Sequence, residues 1–344
     1  MKTKCLILLI AILSFSCNKE ERLIDNSVNA NDLYIANSET NDVSIYEFPA
    51  MTLLVPDLFE SNDVEINSNI SNIREFQGKV YILVPDESKM IVFDSDADTL
   101  IKVNEFPNSS GPNDISFSNI ADGFVTFKNA PYVANYDLVY SEIIRYIDGS
   151  SIINSINSAG SYVYLTEPQS SSISVIDIRN YRESNQIDLS SPPDVASITS
   201  RNELLVVSNR VSNENNQVPA RIHYINTGSN TVRESYDFGD NRINANDLES
   251  YDILSTSLSY TFVSTNLGLI RIDNRVDDRF VTITDRQFEQ MEYGPNFESI
   301  LLLERNGINS NIVVSNSKSG AIVDEVNLPM NTNRFMIQQW RQQS

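Results

Sequence analysis

The sequence predicts an all-β fold, a ring of seven sheets forming a seven-bladed β-propeller, and three observations point to it. A similar unit recurs seven times, roughly every 40–45 residues, the period of propeller blades. Each copy holds a strand-length apolar run, such as VYILV, FVTF, LLVV or ILLL, as expected of a strand covered on both faces. Copies close on clusters of Asp, Asn, Ser and Gly, such as DSDADT, NTGSN, DNRVDD and SNSKSG. These residues form tight hairpin turns by bonding their own backbone. No helical period interrupts the series.

The clearest units span 32–48, 79–103, 161–189 and 202–238, the last with a longer middle loop. Weaker copies at 122–147, 260–283 and 298–328 complete the seven and leave six or eight blades open. Within a unit the strand after the apolar run alternates more, as in SISVIDI. The first unit begins at its second strand, whereas the chain ends in an unpaired apolar segment, Arg334 to Trp340. That segment is expected to supply the missing first strand of blade 1, because a closed ring leaves no open edge. Trp340 is expected to act as a closing wedge.

Ahead of the propeller, expected over 31–344, stand two short segments. Lys2 and Lys4 precede the apolar stretch 5–13 and a small residue before Cys17. This is the pattern of a secretory signal over 1–16, and the stretch is far shorter than the ~20 residues of a membrane-spanning helix. Residues 17–30 are polar and aperiodic, as in a flexible tether. The chain has two cysteines, and Cys5 would leave with the signal, so the mature protein has no internal disulfide and depends on its core. Net charge is −21, and removing 1–16 with its two lysines and no acids takes it to −23. Such a balance argues against nucleic acid and against anionic lipid as partners of the protein surface.

Three resemblances add to this. Ser16-Cys17 behind the apolar stretch resembles a lipobox, which implies cleavage before Cys17 and its acylation with palmitate-type chains. Lys19, Glu20 and Glu21 resemble the export signal of Bacteroidota-type surface lipoproteins, which implies an outer-membrane anchor with the protein facing outward. YIANSETNDVSIYEF and YLTEPQSSSISVIDI are similar to the repeat core of the YVTN-type seven-bladed β-propellers, although only 11 glycines occur in the chain, fewer than that family's repeats imply.

Catalytic signatures are sparse. The single histidine, His223, lies in the strand-like ARIHYIN and reads as a packed residue. With no mature thiol and one histidine, Cys–His catalysis and a Cys/His zinc site have no residues to build them. Asp94, Asp96, Asp98 and Glu105 have the spacing of a calcium loop, but Thr99 stands where glycine is needed and the turn pattern explains the aspartates. No cofactor is implied.

Binding is easier to place. In a propeller the loops joining second to third strands, and blade to blade, gather on one face around the channel. Here they are 38–42, 85–89, 129–132, 167–172, 209–221 and 304–311. They carry Tyr132, Arg210, Asn213, Arg221, Arg305 and Asn306, candidates because function concentrates in loops on rigid scaffolds. Some surface propeller lipoproteins of this lineage capture vitamin B12 for a TonB-dependent transporter. By that analogy the expected function is a non-enzymatic binding module that captures a small nutrient or docks on an outer-membrane partner. The alternatives are a lactonase or glycan-cleaving propeller enzyme, whose acids would meet at the channel, and a structural subunit of an outer-membrane complex.

Overall fold

Seven four-stranded antiparallel sheets are the blades of the computed structural model. It describes residues 31–338 except 150, 210, 214–215, 239–247, 257–258, 276–279, 295–297, 307–308 and 329, with backbone alone at 211–213, 216–217, 305–306 and 309. The architecture is a seven-bladed β-propeller. Its inner strands, from blade 1 to blade 7, are Thr332–Ile337, Asn72–Phe76, Pro112–Phe117, Ser155–Ala159, Pro193–Ile198, Ser250–Ser255 and Gln290–Gly294.

Blade 1 joins the two ends of the chain. Thr332–Ile337 pairs antiparallel with Asn31–Asn37, Leu33 opposite Ile337 and Tyr34 opposite Met336. The last strand therefore closes the ring, as the unpaired apolar tail requires; Trp340 lies outside the described residues.

The core consists of seven apolar clusters, one at each blade junction, and alternation explains them. On the second strand of blade 1, Leu33 and Ile35 face blade 7, while Tyr34 and Ala36 face blade 2. In blade 2, Val80, Ile82 and Val84 face blade 1, and Tyr81 and Leu83 face blade 3. Both faces of each such strand are buried, so the period-2 signal becomes a continuous apolar run. The third strand of blade 4, Ser172–Asp177, alternates in chemistry yet is buried at every position. Its Ser174 stays satisfied by donating to Glu167 Oε1 at 2.6 Å.

Four of the hairpin turns between third and outer strands, in blades 2, 3, 5 and 7, share one device. Asp94, Asp137, Asn226 and Asn316 each accept the backbone N–H groups two and three residues on through Oδ1, at 2.8–3.0 Å. A neutral Asn serves as well as an Asp, so the acids at these turns act by geometry rather than charge.

Candidate binding site: the channel and its mouth

All inner strands start on one face, here the top, and line the channel. Their side chains clamp every junction. Gln290 of blade 7 makes two bonds with Phe335 of blade 1, accepting from its N–H at 3.0 Å and donating to its carbonyl at 2.7 Å. In blade 1, Asn333 donates to Ile70 O and Arg334 to Ser71 O, at 2.9 and 2.6 Å, both leading into blade 2. Asn72 of blade 2 donates to Asp114 of blade 3 at 2.7 Å. Asn113 reaches Asn154 O at 3.0 Å, Asn154 reaches Asp194 O at 3.0 Å, and Ser250 donates to Asp194. Asp252 of blade 6 completes the circle by accepting Met291 N–H of blade 7 at 2.7 Å.

The aspartates sit at irregularities in their strands. Register shifts fall between Pro112 and Asp114, Pro193 and Val195, and Ser250 and Asp252. A bulge adds a residue and re-aims its neighbours, which frees Asp114 and Asp252 to take the next residue's N–H, at 2.9 and 2.8 Å. The sequence signal for these sites is a repeated Asp before a β-branched apolar residue, in PNDISF, PDVASI and SYDILS. Sequence reasoning missed it because it followed the stronger second strands.

The charges in the channel form one group. Arg74 Nη1 lies 3.0 Å from Glu292 Oε1, with Arg74's side chain 40% exposed and Glu292's 11%. Gln290 Nε2 adds a bond to the same oxygen at 3.1 Å. Burial pushes Glu292 up to about 7, Arg74 opposing and Asp252 reinforcing the shift. Burial also pushes Asp252 up to about 6 against its two backbone bonds and Arg74. Asp114 and Asp194 are raised by burial too. Of these, Glu292 and Asp252 lie close enough to neutral to exchange protons at physiological pH.

Above this group the mouth opens into a polar cleft of about 380 Å³, lined by Asn69, Asn113, Lys128, Glu289, Asn333 and Arg334 among others. Arg334 links the cleft to the charges below. Asn333 Oδ1 is buried and has no hydrogen-bond partner among the described residues. Lys128, at the loop between second and third strands of blade 3, forms no ion pair among the described residues.

Of the loop residues singled out from sequence, the two whose side chains are described, Tyr132 and Arg221, do not line the cleft. Tyr132 packs on Phe127 and Tyr146, at centroid distances of 4.8 and 5.1 Å. Arg221 is held by Asp237 and Ser190 in blade 5. Arg210 and the side chains of Asn213, Arg305 and Asn306 lie outside the described residues, as do Cys17, Lys19, Glu20 and Glu21. Asn213 ends a small hairpin strand, Val211–Asn213, paired with Asn216–Val218. His223 is buried with Nδ1 2.7 Å from Ser235 Oγ, and desolvation, then Arg221, lowers its pKa to about 4. The calcium spacing does not assemble. Asp94 pairs with Thr99 at one end of the outer hairpin and Glu105 with Lys89 at the other, roughly 20 Å apart at 3.3 Å per residue. Asp94 caps its turn instead, and Asp98 accepts from Tyr34 Oη at 3.1 Å.

No protein-family model matches this sequence, and no curated protein does. Solved structures match in fold. Kuenenia stuttgartiensis hydrazine synthase aligns with a TM-score of 0.60 at 13% identity, over 73% of this chain and 78% of that one. The dihydro-heme d1 dehydrogenase NirN in complex with DHE gives 0.58 at 11% identity, over 89% and 75%. A chain of the mitotic checkpoint complex gives 0.59 at 8% identity, over 76% and 81%. At such identities, and with neighbours of such different titles, the likeness shows the propeller fold alone.

Proposed function

We propose that this chain is a lipid-anchored surface propeller that binds rather than transforms its ligand, with the cleft at the channel mouth as its site. Its partner is an outer-membrane protein such as a TonB-dependent transporter, or a small nutrient passed to one. The cleft carries this reading: it offers a guanidinium at Arg334 and, among the described residues, an ammonium at Lys128 without an ion pair and an acceptor at Asn333 without a hydrogen bond. That set suits a small polar ligand with an anionic group and hydrogen-bond donors. The carboxylates beneath are occupied by junction clamps, which favours binding over chemistry. Purification from native membranes with mass spectrometry of co-purifying proteins tests it. A TonB-dependent receptor, lost with Lys128→Glu, supports it; assembly or secretion proteins point instead to a structural subunit.

Asp252 and Glu292 favour a second reading, an acid–base enzyme acting on lactones or glycans, because burial brings both near neutral pKa. Hydrolysis by the purified protein that Glu292→Gln abolishes, with no co-purifying partner, would replace the binding reading.

A further inference from the structure

The three most exposed large apolar side chains among the described residues all belong to blade 3: Tyr140 at 75%, Ile120 at 73% and Val139 at 63%. They stand on two neighbouring turns at the bottom of the blade, opposite the cleft. Leu138 N–H donates to Ala121 O at 2.8 Å and ties the turns together. Each turn is also fixed internally. Asn119 Oδ1 accepts Ala121 and Asp122 N–H at 2.7 and 3.0 Å, and Asp137 Oδ1 accepts Val139 and Tyr140 N–H at 2.8 Å. Lys79 Nζ from blade 2 donates to Leu138 O and to Ser141.

The fold does not require these side chains to be apolar. The same capped turn carries Asp96-Ala97 in blade 2, Gly228-Ser229 in blade 5 and Lys318-Ser319 in blade 7. Blade 3 alone among these four puts Val and Tyr there and adds Ile120 beside them. Clustered apolar exposure on a rigid support marks a contact surface.

The described chain starts on this same bottom face. Asn31 begins the second strand of blade 1, and Asp32 O accepts Gln338 N–H at 2.9 Å where the inner strand ends. If Cys17 is the acylated residue, as the proposed function holds, residues 17–30 lead from the bilayer to this face. Fourteen residues reach at most about 50 Å when extended.

We infer that Ile120, Val139 and Tyr140 seat the bottom of blade 3 in the interface of a zwitterionic membrane, so that acyl anchor and apolar tips together fix the propeller's orientation on the bilayer. The inference rests on the anchored reading above. Tyrosine suits the headgroup level, with aliphatic side chains beside it, and firm membrane attachment generally combines two signals. The lipid is zwitterionic because the neighbouring turn of blade 2 carries Asp94, Asp96 and Asp98 in a chain of net charge −21, which anionic headgroups would repel.

The mature chain's sole cysteine is Cys17, so a second cysteine can be labelled selectively. The full acylated chain, as Tyr140→Cys or Ser319→Cys with an environment-sensitive fluorophore, is reconstituted in phosphatidylcholine vesicles. The label at 140 should be blue-shifted and quenched several-fold more by spin-labelled lipid than the label at 319. Ile120→Ser with Val139→Ser should reduce that difference without lowering the melting temperature. Equal quenching at both positions overturns the inference, as does a label at 140 shielded from lipid but crosslinked to a protein in native membranes. The mass of the Cys17 peptide from the same sample reports acylation separately. A peptide without lipid refutes the anchored reading, and the same label comparison on added vesicles then decides the tips.

Discussion

Arg74 of blade 2 passes the inner strand of blade 1 to reach Glu292 of blade 7, Nη1 to Oε1 3.0 Å. The ion pair therefore spans the place where the two ends of the chain are joined. Burial raises the Glu292 carboxyl while the Arg74 guanidinium opposes the rise, and the balance leaves Glu292 at about 7.

Glu292 should make stability depend on pH in an unusual direction. Its folded pKa, about 7, is above the ordinary 4.5, so between these values the folded state holds the proton more tightly. That contribution favours the fold below pH 7 and is lost as pH rises through it. Asp252 acts alike up to about 6. His223 opposes them: lowered to about 4 from 6.5, it stabilises above 6.5 and loses that contribution as pH falls toward 4. Melting temperatures of Glu292→Gln relative to the parent should thus rise between pH 5 and pH 8, whereas those of His223→Gln relative to the parent should fall. A pH-independent offset for Glu292→Gln would refute its assignment.

Ring closure should be indispensable. Deleting 331–344 removes the inner strand of blade 1 and exposes the clusters at both its junctions. The truncated chain should fail to show a cooperative melt. Phe335→Ala, at a fully buried position, should cost about 3–5 kcal/mol in chemical denaturation.

Gly268 should tolerate no side chain. Its φ is +112°, and an added Cβ would lie 2.0 Å from Thr284 O. Gly268→Ala should destabilise by more than about 1 kcal/mol, while Gly160→Ala, which meets nothing within 4 Å though φ is +58°, should cost less. Urea titration of the pair compares them directly.

Asp94 should be replaceable by Asn but not by Ala. Asp94→Asn keeps the acceptor that caps the turn, whereas Asp94→Ala should lose about 1 kcal/mol with the two bonds. Millimolar calcium should leave the melting temperature of parent and Asp94→Asn unchanged. A calcium-dependent rise confined to the parent would restore the metal-loop reading.

Much of the fold was legible in the chain because blade stacking turns a local pattern into a strong one. Residues such as Val80 to Val84 are buried on both faces, so hydrophobic runs, turn clusters and the unpaired end at Arg334 to Trp340 lead to a closed seven-bladed ring. Charge, cysteine count and the segment around Cys17 are sequence properties too, and the proposal of an anchor rests on that segment. The channel was not legible. Arg74 and Glu292 are 218 residues apart, and nothing local records that their blades flank the closing strand. Nor does spacing separate an Asp that caps a turn, such as Asp94, from one that a bulge turns toward the next blade, such as Asp252. Only ring closure sets the distances between blades, and with them which carboxylates meet, which are desolvated and which cleft lies above them.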